Sequence, residues 1–129
     1  MVKVVAGLIK KDGKYLIARR NHGDVEANGK WEFPGGKLEE KETELEAIER
    51  EMREEFEVNV KALKFLASSV SEYIERTIEL RLYLCDYING EFKLHDHHEI
   101  KWIELSELLN YDFAPADKEL VNSIINMDI

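Results

Sequence analysis

The sequence predicts an α/β domain of the α+β kind, with helices packed against a mixed β-sheet. Three observations carry this. Short apolar or alternating runs of strand length recur along the chain. Two strong hairpin dipeptides, Asp12-Gly13 and Asn89-Gly90, punctuate those runs. Two segments, 43–56 and 115–127, carry apolar residues at helical spacing. Strands outnumber helices, and each helix needs a sheet face to cover its apolar stripe.

The elements follow in order. VKVVAGLI opens as a strand, Asp12-Gly13 turns, and KYLIARR (14–20) returns. Residues 21–30, NHGDVEANGK, are polar and glycine-containing, which predicts a loop. WEF (31–33) is a short strand stopped by Pro34-Gly35-Gly36. A helix then begins, with Thr43 and Glu46 at capping-box spacing. Its predicted inward stripe is Leu45, Ile48, Met52 and Phe56. Val58 to Val70 is strand-like, and RTIELRLYLCDYI (76–88) alternates with Ile78, Leu80, Leu82 and Leu84 on one face. After Asn89-Gly90, EFKL and EIKWIEL are expected as strands, and Ser106–Leu109 as a helical turn. Pro115 to Met127 closes the chain as a helix facing inward with Leu120, Val121, Ile124 and Ile125.

Composition bounds the function. A chain of 129 residues, 44% of them apolar, predicts one domain over residues 1–129 with a core of its own. No apolar run approaches the length of a membrane-spanning helix, and the N-terminal stretch lacks a signal-peptide layout. The lone Cys85 has no internal disulfide partner, so a cytoplasmic, reducing setting is expected, with Cys85 buried and chemically silent in its strand. Eighteen basic against 27 acidic residues leave −9, which argues against a partner such as duplex nucleic acid.

That charge is concentrated. Residues 39–57 hold ten Glu and three Lys or Arg, so this block alone supplies −7 of the −9. On a helix, Glu51, Glu54 and Glu55 share one face at i, i+3 and i+4, where like charges repel. A solvated acidic face is one reading. A hard divalent cation such as Mg²⁺ is the other, since it takes oxygen ligands together with substrate phosphates. The Gly35-Gly36 pair just upstream makes a tight turn or lets backbone approach a ligand. Arg50 inside the cluster either orients a carboxylate or forms an ordinary helix ion pair.

Gly36, Glu42 and the run Arg50-Glu51-Met52-Arg53-Glu54-Glu55-Phe56-Glu57-Val58 resemble the Nudix box, G-x5-E-x7-R-E-U-x-E-E-x-G-U, where U is bulky and apolar. One fixed position departs: Glu57 stands where the family has glycine. WEFPGGK, IARR, HDHHEIKWI and DFAPAD extend the similarity from about residue 3 to residue 125. They look like the MutT branch and the related pyrimidine-nucleotide pyrophosphohydrolases.

The resemblance implies the Nudix fold, an α/β/α sandwich around a mixed β-sheet. It implies a Mg²⁺-dependent hydrolase, with Mn²⁺ able to substitute, that splits a nucleoside triphosphate into monophosphate and pyrophosphate. Glu51, Glu54 and Glu55, with the Gly35 carbonyl, would hold the metal. Arg50 would orient the carboxylates and Glu42 support the loop–helix junction. Asp96 is the best match for an acidic catalytic residue on the second loop, with His97 and Glu99 as runners-up, or HDHH is only an exposed polar loop. A zinc site built on His95, His97 and His98 lacks further N or S ligands.

For substrate, Arg20 matches a phosphate-contacting arginine, or is a plain strand-end charge. Glu32 and Phe33 would line the nucleotide cleft, unless Phe33 is simply core. Tyr73 and Arg76 lie where the branch presents side chains to the base, or form a surface loop. Asp117 matches a position that is Asn in the oxidised-guanine enzymes and Asp in the pyrimidine-directed ones. A carboxylate there suits an amino edge such as cytosine N4, or serves only as a first-turn acid on the helix dipole. The alternatives in function are a Nudix hydrolase of another nucleoside diphosphate derivative such as ADP-ribose, and a non-catalytic nucleotide sensor. An acidic interaction surface or a calcium buffer is disfavoured, since no EF-hand loop is present. The chain is expected as a monomer or homodimer that binds neither nucleic acid polymer nor membrane. At Glu57 the box glycine predicts a positive φ, so Glu57→Gly is expected to raise thermal stability with little change in turnover.

Overall fold

The computed structural model describes residues 1–20 and 29–129; most of the loop expected over 21–30 lies outside them. The chain runs β1 (Val2–Lys11), β2 (Lys14–Arg19), β3 (Trp31–Glu32), β4 (Gly35–Lys37), α1 (Glu44–Phe56), β5 (Asn59–Glu72), β6 (Thr77–Asn89), β7 (Glu99–Ile103), a 3₁₀ turn (Leu105–Asn110) and α2 (Pro115–Ile124). The sheet is mixed, in the order β3-β2-β1-β6-β5, with β4 on β1 and β7 on β2. β1 runs parallel to β6 and antiparallel to β2 and β4.

Alternation on β1 and β6 builds the layers. Ala6 and Leu8, with Leu80, Leu82 and Leu84, face α2 residues Leu120, Val121 and Ile124. Val5, Ile9 and Cys85 face α1 residues Ala47, Ile48, Met52 and Phe56. Gly7 lies between Val5 and Ile9 on the α1 side, where a Cβ would come within 3.3 Å of Ile48. The result is α1 on one face and α2 on the other, an α/β/α sandwich around a mixed sheet. Among the described residues no helix is long and apolar enough to cross a membrane.

The Asp12-Gly13 hairpin forms with both residues at positive φ, 52° and 77°, as a primed two-residue turn requires. The Thr43–Glu46 capping box forms with both reciprocal bonds. Leu45, placed in the inward stripe, is instead 38% exposed. It sits in the first turn, and Ala47 takes the buried place beside Ile48.

The second hairpin does not form. EFKL (91–94) is not a strand, because Phe92 plugs an aromatic cluster of Phe56, Tyr87 and Trp102. Lys93 N–H bonds the Phe56 carbonyl at 3.0 Å, satisfying an open acceptor at the end of α1. Helix α2 stops at Ile124, three residues short of Met127.

Glu57 caps α1 in the left-handed region, φ 59° and ψ 35°, the conformation the box glycine predicts. Its carboxylate lies 2.5 Å from His95 Nε2. Left-handed strain of about 1 kcal/mol is therefore partly offset by a half-exposed pair worth about 0–1 kcal/mol. Glu57→Gly should raise the melting temperature by only a few degrees. A thermal melt checks this, and a lower Tm would show that the pair outweighs the strain.

Candidate active site

The acidic face of α1, the start of β4 and the ends of β2 and β3 meet at one corner of the sheet. Gly35 and Gly36 do not make the tight turn that is one reading of the pair; they pair in β4 with Ala6 and Val5 of β1. Two arginines organise the carboxylates there. Arg50 bonds Glu42 at 2.8 Å, Glu51 at 2.9 Å, Glu54 at 3.1 Å and the Lys37 carbonyl at 3.1 Å. The Arg50 contact lowers the pKa of Glu42, which also accepts the Glu39 N–H, closing the loop onto the helix. Arg20 is the second organiser. Its Nη2 lies 2.9 Å from Glu55 Oε2, 3.0 Å from Glu32 Oε2 and 2.9 Å from His97 Nε2.

Glu55 is the unusual member. It is 2% exposed, on the same buried side of α1 as Met52 and Phe56. Burial pushes its pKa up; Arg20 opposes this, and the neighbouring Glu51 and Glu32 carboxylates push it further. Its Oε1 is buried without a hydrogen-bond partner among the described residues. An unpaired buried carboxylate oxygen beside a second carboxylate is costly unless a cation or proton meets it.

The residues fit a hard divalent cation. The donor set is all oxygen: the Glu51, Glu54 and Glu55 carboxylates and the Gly35 carbonyl. Gly36 leaves the room that Glu51 occupies, since a Cβ there would lie 2.5 Å from Glu51 Cδ. As the side chains stand, no three acidic, His or Cys groups among the described residues close around one point. Glu51 and Glu54 are drawn onto Arg50, so turning them to a common cation exchanges arginine bonds for metal bonds, whereas Glu55 can keep its Oε2 on Arg20.

Beside the carboxylates a cavity of about 260 Å³ opens against the sheet, lined in part by Arg20, Glu32, Phe33, Gly35, Tyr73 and Asp117. Phe33 is buried against Phe113, and its N–H donates to Asp117 Oδ1 at 2.9 Å. Asp117 starts α2 behind Pro115 and is 7% exposed. Burial raises its pKa to about 8, with the Phe33 N–H opposing and Glu32 adding to the rise. A folded-state pKa near 8 against 3.8 means that the native state binds the extra proton between those values. Stability from this group is full below about pH 4 and is lost as pH rises toward about 8. Asp117→Asn keeps an oxygen for Phe33 and removes the titration. Its Tm should fall less than the wild type's between pH 5 and pH 8; parallel melting curves across that range would refute the assignment.

The structure brings together Arg20, Glu32, Phe33, Gly35, Arg50, Glu51, Glu54, Glu55, Tyr73 and Asp117. Arg76 is not among them. Its backbone pairs with that of Tyr73 at the β5–β6 turn, and it borders a separate depression with Ile74 and Glu75. Asp96, the residue favoured for the second loop, is exposed. His97 is the inward side chain of that loop, and Glu99 pairs with Arg19. The loop has no periodicity from which to tell these apart. Phe56 decides it, since the His97 ring stacks on it at 5.0 Å and 18°. The Arg20–Glu32–Glu55–His97 network as a unit was not evident from spacing. Its one sequence signal is Glu55 lying three residues after Met52 and next to Phe56, on the apolar side of the wheel.

An oxygen-donor face on a helix, set beside a cleft in this sandwich, suits a divalent-cation site that meets phosphates. The sequence profile of the NUDIX domain matches residues 1–124, and the chain belongs to that family. It is similar to the CTP pyrophosphohydrolase of Escherichia coli (strain K12), 36% identical over 125 residues, spanning 97% of this chain and 92% of that protein. It is also similar to the 8-oxo-dGTP diphosphatase of the same organism, 28% identical over 120 residues and 93% of each chain. The solution structure of the E. coli ORF135 protein superposes with a TM-score of 0.87 at 36% identity, over 97% of this chain and 89% of that one. The chain is thus a Nudix hydrolase related to these enzymes. Nudix hydrolases act on nucleotide substrates and generally use divalent metal ions.

Proposed function

We propose that this protein hydrolyses a nucleoside or deoxynucleoside triphosphate to the monophosphate and pyrophosphate, with Mg²⁺ as cofactor and Mn²⁺ as a substitute, and with cytosine nucleotides as preferred substrates. The observation that carries this is the adjacency of the α1 carboxylates to a cleft whose buried wall holds Asp117 against the Phe33 backbone. Glu51, Glu54, Glu55 and the Gly35 carbonyl hold the metal. A bound divalent ion supplies neutralisation of phosphate charge and an activated water.

The chain's own residues do the rest. Arg50 keeps Glu51 and Glu54 oriented from one side of the cluster. Arg20, at the junction of cleft and carboxylates, can release Glu32 and take a phosphate oxygen while keeping Glu55. Phe33 and Tyr73 give the base apolar surface. Asp117 accepts from an amino edge such as cytosine N4, and in its protonated form also donates to a ring nitrogen. The similarity to a CTP pyrophosphohydrolase supports this preference; the similarity to an 8-oxo-dGTP diphosphatase supports oxidised guanine as the second reading. Guanine also presents N–H donors to a carboxyl.

The test is product analysis on a panel of common and oxidised dNTPs and NTPs, with ADP-ribose, separated by ion exchange. Monophosphate and pyrophosphate chiefly from cytosine nucleotides are expected. The same products chiefly from oxidised guanine nucleotides would reassign Asp117 while keeping the chemistry. Turnover of ADP-ribose alone would reject the triphosphate reading, and tight nucleotide binding without product would make the protein a sensor.

A further inference from the structure

The segment between β6 and β7 inserts one side chain into the carboxylate network, and that side chain is polar. The His97 side chain has no solvent exposure. Its Nε2 lies 2.9 Å from Arg20 Nη2 and 3.0 Å from Glu32 Oε2, whereas its Nδ1, 3.5 Å from Glu55 Oε2, makes no hydrogen bond among the described residues. A space-filling role would be met by an apolar ring stacked on Phe56, without burying two ring nitrogens. The segment is also pinned on both sides of His97. Lys93 N–H bonds the Phe56 carbonyl, His95 pairs with Glu57, and His98 N–H bonds the Arg19 carbonyl at 2.9 Å.

We propose that His97 is a positioning residue: it locates Arg20, which fixes the Oε2 side of Glu55, so that Oε1 is presented to a divalent cation. The geometry is that of an outer shell. Glu55 Oε2 is taken by Arg20 at 2.9 Å and flanked by His97, while Oε1 has no partner among the described residues. Arg20 is itself located by His97 and Glu32, so removing the imidazole loosens the donor that holds Glu55. Partners of this kind commonly set metal affinity by 10- to 100-fold. The inference rests on the reading of Glu55 as a metal ligand.

The experiment is Mn²⁺ binding to the metal-free protein, followed by electron paramagnetic resonance, for wild type, H97F, H97Q and E55Q. H97F keeps a ring on Phe56 and loses both nitrogens. It should bind Mn²⁺ at least about 10-fold more weakly, with far-UV circular dichroism unchanged. H97Q restores a polar atom near Nε2 and should recover most of that loss. H97F binding within twofold of wild type, while E55Q binds poorly, would overturn the positioning role alone. Equal weakening in H97F and H97Q, matched by equal losses of Tm, would overturn it in favour of simple packing. E55Q binding like wild type would instead overturn the ligand reading, and this inference with it. Should H97F fail to fold, H97N decides. Its side chain is too short to put a polar atom at the place of Nε2 beside Arg20, so weakened Mn²⁺ binding in a folded protein supports the proposal and unchanged binding overturns it.

Discussion

Glu54→Gln should lower turnover of a nucleoside triphosphate at least about 100-fold, the upper end of what outer partners of a metal site already cost, while Tm moves by no more than about 2 °C. The two halves of this expectation come from one geometry. The Glu54 side chain is 59% exposed and pairs with Arg50 at 3.1 Å, an i,i+4 contact on a helix surface. Pairs of that kind contribute about 0.3–0.5 kcal/mol. Arg50 keeps Glu42 and Glu51 when Glu54 is neutralised, so the helix loses almost nothing. What the amide removes is an anionic oxygen on the face shared with Glu51 and Glu55. Steady-state kinetics beside a thermal melt checks both halves. Retained turnover would remove Glu54 from the metal site, and a large drop in Tm would give it a structural role that the structure does not support.

Buried neighbours behave differently. Glu55 has a 3% exposed side chain and lies between Arg20 and His97, so substitutions there mix stability with function. The contrast between Glu54 and Glu55, adjacent in sequence, follows from 100° of helix rotation. One carboxylate faces solvent beside Arg50; the other turns under the sheet edge with Phe56.

This rotation also explains what was legible in the sequence. Spacing alone put Glu51, Glu54 and Glu55 on one face. The alternation of Ile78, Leu80, Leu82 and Leu84 predicted a strand with one covered side, and β6 pairs along its length with β1 and β5. Those signals are local and periodic, and packing reinforced them. Where a local signal met a stronger tertiary one, it lost. Asn89-Gly90 has hairpin chemistry, yet Gly90 serves a close approach. At φ 109° its position leaves only 2.9 Å between a built Cβ and the Glu57 carbonyl oxygen. The following residues then carry Phe92 into an aromatic cluster instead of forming a strand. That His97 turns inward and Asp96 outward is likewise not local. In a loop of four polar residues, the groups that receive His97, the ring of Phe56 and the Arg20 side chain, lie about 40 or more positions earlier.

The last expectation separates two adjacent glycines by mechanism. Neither Gly35 nor Gly36 is among the positive-φ residues, so neither is required for its backbone conformation. Both are required for space, against different neighbours. Gly35 pairs with Ala6 where β4 meets β1. A Cβ on Gly35 would run into the Val5 carbonyl oxygen and lie 2.7 Å from Ala6 Cα. Backbone in a sheet centre cannot step aside, and overpacking of this kind costs about 1–3 kcal/mol or more. Gly35→Ala should therefore lower Tm by about 5–15 °C. The atoms nearest a Cβ on Gly36 are those of the Glu51 carboxylate, with Cδ at 2.5 Å. A carboxylate on a flexible stem can move, so Gly36→Ala should leave Tm within about 3 °C. It should instead displace Glu51 from Arg50 and from the metal-binding face, weakening Mn²⁺ binding and turnover at least about 10-fold. Melting curves and Mn²⁺ titrations of the two variants decide the matter together. Loss of stability in Gly36→Ala, or full activity with native Mn²⁺ affinity, would mean that Glu51 is not held in place by the space this glycine leaves.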